Sequence, residues 1–145
     1  MSGITALHFC IFRGNNQQAI RLIEGGETEL DAGDKGGQTP IHIACYRDNV
    51  EMVRRLVEAG ADASKADNSG NTPMHAAAGE GAVSVVQYLV SKGVSGRRRN
   101  VESLTPLELA HRHCPPRARG PVVQLLERQA AEEEEEEQEQ DQAEE

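Results

Sequence analysis

Gly70-Asn71-Thr72-Pro73-Met74-His75-Ala76-Ala77-Ala78 is the stretch around which the rest of the chain is organised. One period earlier the chain reads Gly37-Gln38-Thr39-Pro40-Ile41-His42-Ile43-Ala44-Cys45; one period later it reads Ser103-Leu104-Thr105-Pro106-Leu107-Glu108-Leu109-Ala110. The step from Thr39 to Thr72 equals the step from Thr72 to Thr105. A worn copy, Gly3-Ile4-Thr5-Ala6-Leu7-His8-Phe9-Cys10, precedes the other three at nearly the same spacing. A unit that recurs at such a period buries its apolar face only by stacking on its neighbours, so the chain reads as an array.

Local chemistry makes each period a helix–turn–helix unit. Thr39, Thr72 and Thr105 stand where a helix N-cap belongs, each followed by Pro at the first helical position. Thr accepts a bond from an orphan N–H, and Pro removes a donor that has no partner there. The short first helix is rich in small residues (Ala44, Ala76, Ala77, Ala110) that let neighbouring helices approach closely. The second helix carries an apolar stripe at offsets of three and four, Val50, Val53, Leu56 and Val57 in one repeat and Val83, Val86, Leu89 and Val90 in the next. Gly26, Gly60 and Gly93 each follow their own Thr at one fixed distance, where a left-handed C-terminal cap is wanted. Gly-, Asp- and Asn-rich links then lead to the next Thr and read as protruding turns.

The end repeats depart from the pattern. In the first, Ala6 replaces Pro and polar Asn16 replaces the first Val of the stripe, as suits a terminal unit with no neighbour on its outer face. In the fourth, Glu108 replaces His, but Thr105-x-x-Glu108 is a capping box and preserves the helix start. Its inter-helix turn, His113 to Pro121, reads as longer than its counterpart in the third repeat, with Val122, Val123, Leu125 and Leu126 restoring the stripe.

Two Phe, two Tyr and no Trp among 145 residues leave packing to aliphatic side chains. The net charge of −9 is local: residues 131–145 hold ten of the 24 acids and no base, leaving 14 acids against 15 Lys and Arg elsewhere. The tail has high helix propensity, so a frayed continuation of the last helix is one outcome, but dense like charge and the lack of any apolar residue larger than Ala lead us to expect disorder over 131–145. Three Cys without framework spacing argue for a reducing compartment. The first residues lack the basic and long apolar regions of a signal peptide, and no apolar run approaches a membrane span. Cytoplasm or nucleus is therefore expected.

These motifs (two full Thr-Pro-x-His units, two degenerate ones, and Gly60-Ala61-Asp62) resemble those of the ankyrin-repeat family across about residues 3–130. The resemblance implies an all-α solenoid of stacked helix–turn–helix units with projecting hairpin loops. Its four repeats would span about 1–33, 34–66, 67–99 and 100–130, with the acidic tail beyond. It implies a non-catalytic protein-binding role as adaptor, scaffold or regulatory inhibitor, through the concave face and the finger tips. Carried over by position, that surface is Phe12 and Arg13 in the first repeat and Lys35, Gln38, Tyr46 and Arg47 in the second. In the third it is Asn68, Asn71 and Glu80, and in the fourth Leu104 and Arg112. Phe12 has a second reading, as core of the capping repeat. The motif's His and Thr are implied to bond at the helix start and tie repeats together.

Other constellations carry less. His111, His113 and Cys114 lack the further ligands a structural zinc site needs, so no metal is expected. Cys10 and Cys45 read as buried small residues, and Cys114 as exposed and modifiable. No glycine-rich loop leads into Lys-Ser or Lys-Thr, and no nucleophile–base grouping stands apart from the repeat, so neither cofactor nor enzyme activity is expected. Arg97, Arg98 and Arg99, with Arg117 and Arg119, form a candidate anion-binding end. The acidic tail either recruits a basic partner or masks these arginines. A rival reading is a chaperone-like or solubilising protein whose tail holds basic clients. Nucleic acid is not expected, since the tail would repel it; an unbound monomer is.

Overall fold

The computed structural model describes residues 3–144. The N-terminal pair read above for a leader and the last tail residue lie outside that range. Eight helices and no strand are found among the described residues, in four pairs. The inner helices are α1 (Ala6–Phe12), α3 (Pro40–Tyr46), α5 (Pro73–Glu80) and α7 (Pro106–His113). The outer helices are α2 (Asn16–Glu24), α4 (Val50–Glu58), α6 (Val83–Ser91) and α8 (Pro116–Ala143). Each pair packs on the next, as an all-α repeat stack requires.

The core runs between layers along the whole stack. Ala44, Ala77, Ala78 and Ala110 are fully buried, and they are the small residues that let α3, α5 and α7 lie close together. From the outer helices come Met52, Val53 and Leu56, then Val85, Val86 and Leu89, all fully buried. The stripe is thus rotated from the one the Val spacing suggests, and Val50 and Val83 sit at its margin.

Each inner helix begins with the same hydrogen-bonded device. The backbone N–H of Thr5, Thr39 and Thr72 donates to Nδ1 of His8, His42 and His75 at 3.2, 3.2 and 3.1 Å. Nε2 of each ring lies 2.8 Å from the carbonyl oxygen of Gln38, Asn71 and Leu104, the residue just before the next Thr. A carbonyl only accepts, so Nε2 carries the proton and the neutral ring's Nδ1 accepts from Thr. One histidine therefore caps its own helix and staples the next repeat. Glu108 performs the first task alone, its Oε2 accepting from the Thr105 N–H at 3.3 Å. Among the described residues no further repeat follows for it to staple.

The projecting loops are built alike. Oδ1 of Asp34 accepts from the N–H groups of Gly36 and Gln38, Asp67 from Ser69 and Asn71, and Asn100 from Glu102 and Leu104. Neighbouring loops are joined where Asn68 N–H donates to Gly36 O at 2.9 Å and Val101 N–H to Ser69 O at 3.0 Å. Gly37 and Gly70 have φ of +78° and +76°. A Cβ on Gly70 would stand 3.0 Å from Asn100 Cα, and one on Gly37 2.9 Å from Asn68 N. Glycine is needed twice over, for the backbone conformation and for the close approach of the next loop. Ser103 holds the same place in the loop before α7 at φ +63°, where no further loop packs against it among the described residues.

Two expectations about the C-terminal end are corrected. The turn between α7 and α8 is short: α8 starts at Pro116, and Pro121 lies inside the helix. Pro116 occupies a first-turn position that needs no N–H, and Arg119 Nη2 donates to Cys114 O at 3.0 Å across the junction. Cys114 is consequently buried, 1% exposed, with its thiol pushed up in pKa by desolvation. It is not an exposed modifiable residue.

The second correction is the tail. Instead of disorder over 131–145, α8 runs on to Ala143. Buried Gln129 donates from Nε2 to Val94 O at 2.6 Å. One turn later Arg97 draws in two carboxylates, Nε to Glu133 at 2.8 Å and Nη1 to Glu137 at 2.6 Å. Both glutamates face the same way because they stand one helical turn apart. Helix propensity, helped by this cation, offsets the like-charge repulsion on which the expectation of disorder rested.

Candidate functional site

The inner helices all end with two residues at fixed distance from their Thr. They are Phe12 and Arg13, Tyr46 and Arg47, Gly79 and Glu80, then Arg112 and His113. Helices that stack in register bring these pairs into two parallel columns, a consequence of the repeat and not of any single residue.

The first-repeat half of this face is apolar. Ile4 is 57% exposed, Phe9 55% and Phe12 57%. With Ile43 they line a groove of about 430 Å³, to which His8, Asp34 and Gln38 add the polar part of the lining. Phe12 is thus a surface residue, which decides between its two readings. Arginines cover the rings from one side: Arg13 Cζ is 5.7 Å from the Phe9 centroid and Arg47 Cζ 5.5 Å from that of Phe12. A guanidinium over a ring face gains from the ring's quadrupole while its in-plane N–H groups stay free.

Farther along the columns Gly79 removes a side chain, and a cleft of about 300 Å³ opens between Tyr46 and His113, with Glu80 and Leu109 on its walls. Tyr46 is half-buried; burial raises its pKa, and the carboxylates of Asp67 and Glu80 add to the rise, so its hydroxyl is a neutral donor. The cleft combines an aromatic wall, one carboxylate and an imidazole, and it lies on the same surface as the apolar groove.

Of the residues expected on this surface, Phe12, Arg13, Arg47, Glu80 and Arg112 are exposed where the columns predict, and Lys35 and Asn68 are on the loops. Gln38 and Asn71 are only half-exposed, because their carbonyls accept the histidine staples. Leu104 is corrected: it is 7% exposed, with its carbonyl taken by His75, and it belongs to the core. Phe9, Ile4 and Ile43 were missed. Their signal was the first repeat's sequence, where Phe9 stands at the place Ile43 and Ala76 hold.

The arginines expected to form one anion-binding end are largely occupied by other partners. Arg97 is held by Glu133 and Glu137. Arg98 Nη1 donates to Ser64 O at 3.2 Å, while Arg99 Nη1 donates to Ser103 O at 2.6 Å and lies 3.6 Å from Glu108. Arg119 closes the α7–α8 junction, and Arg117 is left exposed on the first turn of α8. No helix among the described residues is long and apolar enough to cross a membrane.

Residues 41–90 match the family model described as ankyrin repeats (many copies). The match runs from within α3 to within α6, and so takes in most of both helix pairs of the second and third repeats but not Thr39-Pro40.

Proposed function

The chain belongs to the ankyrin-repeat family, and on that premise we propose that it is a non-catalytic adaptor or regulatory module that grips a partner protein along its inner-helix columns. Ankyrin repeats are in general protein–protein interaction modules. The observation that carries the reading is the clustering of exposed apolar side chains. Among the described residues, three of the four exposed large apolar side chains, Ile4, Phe9 and Phe12, line one groove, and such a patch on a small water-facing stack marks a docking surface. The cleft at Gly79 extends it, and a partner segment lying from Phe12 past Tyr46 would meet both.

The rival reading, in which the acidic tail holds basic clients, gains less support, since Glu133 and Glu137 already have a cation in Arg97. Three free cysteines fit work in the cytoplasm or nucleus.

The experiment is affinity capture from native extract with the full chain and with Phe9→Ser/Phe12→Ser, compared by quantitative mass spectrometry. Both side chains are exposed, so circular dichroism should be unchanged. Partners lost by the variant support the reading. Retention of the same partners by both proteins, followed by their loss when the tail carboxylates are replaced by Gln, would transfer recognition to the tail.

A further inference from the structure

The inference rests on that reading of the concave face and concerns what the face accepts. We propose that the first-repeat groove recognises a partner segment in which an acidic residue stands beside a large apolar one: the apolar side chain enters between Ile4, Phe9, Phe12 and Ile43, and the carboxylate bonds to Arg13 and Arg47.

Three observations lead there. First, the groove has ample room for a large aliphatic or aromatic side chain, at about 430 Å³ with largely apolar walls. Second, the two guanidiniums are placed but unspent. Each lies over a phenyl ring, and the ion pairs of the described residues involve Arg97 and Arg99 but neither of these two. A stacked guanidinium keeps its planar fork of donors, which matches a carboxylate in bidentate fashion. Third, the chain's own acids do not satisfy them. Oδ1 of Asp34, on the groove's edge, is occupied by the N–H groups of Gly36 and Gln38. Asp48 lies in the turn that follows Arg47, and Glu80 lies beyond Tyr46 against the next cleft.

The acidic end of α8, from the same or a second copy, is a poor candidate for this place. It contains no apolar residue larger than Ala beyond residue 130, so nothing in it fills the groove. It is also held at the far end of the stack by Gln129 and Arg97. The partner must bring apolar surface and negative charge together. The column that starts with Arg13 and Arg47 changes sign at Glu80, so a segment continuing along the face meets a carboxylate after two arginines. That reversal fixes the direction in which an acid-first segment runs.

The test is selection from a random peptide library displayed on phage, against the full chain and against Arg13→Glu/Arg47→Glu. Both positions are exposed, and circular dichroism verifies the fold. The wild type should enrich peptides with Asp or Glu adjacent to Leu, Phe or Trp, and the reversed variant should enrich Lys or Arg there. A synthetic peptide from the wild-type selection should lose at least about fivefold in affinity on Arg47→Ala, a loss that only a minority of interface residues produce. It should also bind more weakly at about 300 mM than at about 50 mM salt, where exposed charges are less screened. Enriched peptides without charge bias, or with a bias unchanged by reversal, overturn the proposed chemistry but leave the concave face as the binding surface, provided Phe9→Ser/Phe12→Ser still abolishes binding. Peptides indifferent to both double variants overturn the chemistry and the face together, and so does failure of the folded wild type to enrich any peptide.

Discussion

Replacing His75 should separate the two tasks that this side chain performs. His75 is fully buried; its Nδ1 accepts from Thr72 N–H at 3.1 Å, and its Nε2 donates to Leu104 O at 2.8 Å. His75→Ala leaves both backbone groups buried without partners, each costing about 1–3 kcal/mol, and opens a cavity among packed residues. A loss of about 3–5 kcal/mol is expected, among the largest a point substitution produces. His75→Gln should be milder. Gln at the third helical position completes a capping box, as Glu108 does in the last repeat, so only the staple to Leu104 is lost, about 1–2 kcal/mol. The assay is urea unfolding followed by circular dichroism, with amide hydrogen exchange on His75→Gln. Since each repeat contacts only its neighbours, the lost staple should release α7 and α8 while α1 to α4 keep their protection. Equal destabilisation by Ala and Gln would refute the division into cap and staple. Uniform loss of protection across all four repeats would refute the nearest-neighbour argument.

Further expectations follow from the same geometry. Burial lowers the pKa of His42 and His75 below 6.5 despite the bonds to Asn71 and Leu104. The unfolded chain then binds more protons, so stability is complete above pH 6.5 and is lost as pH falls below it. The slope reaches at most about 1.4 kcal/mol per pH unit for each histidine. Urea midpoints measured across that range should show it, and His75→Gln should remove about half, whereas a flat profile would contradict it. Gly70→Ala combines a left-handed φ with a Cβ 3.0 Å from the Asn100 backbone and should cost about 2–3 kcal/mol. By contrast, Ser103→Gly should change stability by less than about 0.5 kcal/mol; similar effects at the two positions, read from thermal unfolding, would negate the role given to the next loop. Arg97→Ala should speed amide exchange from Glu133 to the end of α8 at low salt. Global stability should move by under about 1 kcal/mol, because these pairs are exposed. Unaltered exchange would mean that Arg97 does not hold the helix.

Much of the architecture was legible because its causes are local. Thr-Pro at a helix start, His or Glu one turn on, and glycine beyond the helix end each act within a short reach of chain, and their recurrence fixes the stacking period. The candidate surface was legible only in part. Position within the repeat located Phe12, Arg13, Tyr46 and Arg47, but it also nominated Leu104, whose backbone carbonyl is the acceptor for a histidine of the preceding repeat. Phe9 and Ile4 were missed because an apolar residue in a terminal repeat reads as core until the absence of a covering neighbour is seen in three dimensions.

The C-terminal end shows the same limit. Pro115-Pro116 and Gly120-Pro121 read locally as a long turn, yet the chain there is helical because Arg119 and the packing of Val122 and Leu126 close the junction. The acidic segment reads locally as charge with nothing to bury. Its extension as helix depends on Gln129 and Arg97, which come from distant parts of the chain. What the amino-acid sequence determined alone was the unit, its caps and its period, since these rest on hydrogen bonds between residues a few positions apart. Only the tertiary structure decided which apolar groups face solvent, which arginines are already spent and how far the last helix runs, because each depends on what a neighbouring repeat places opposite.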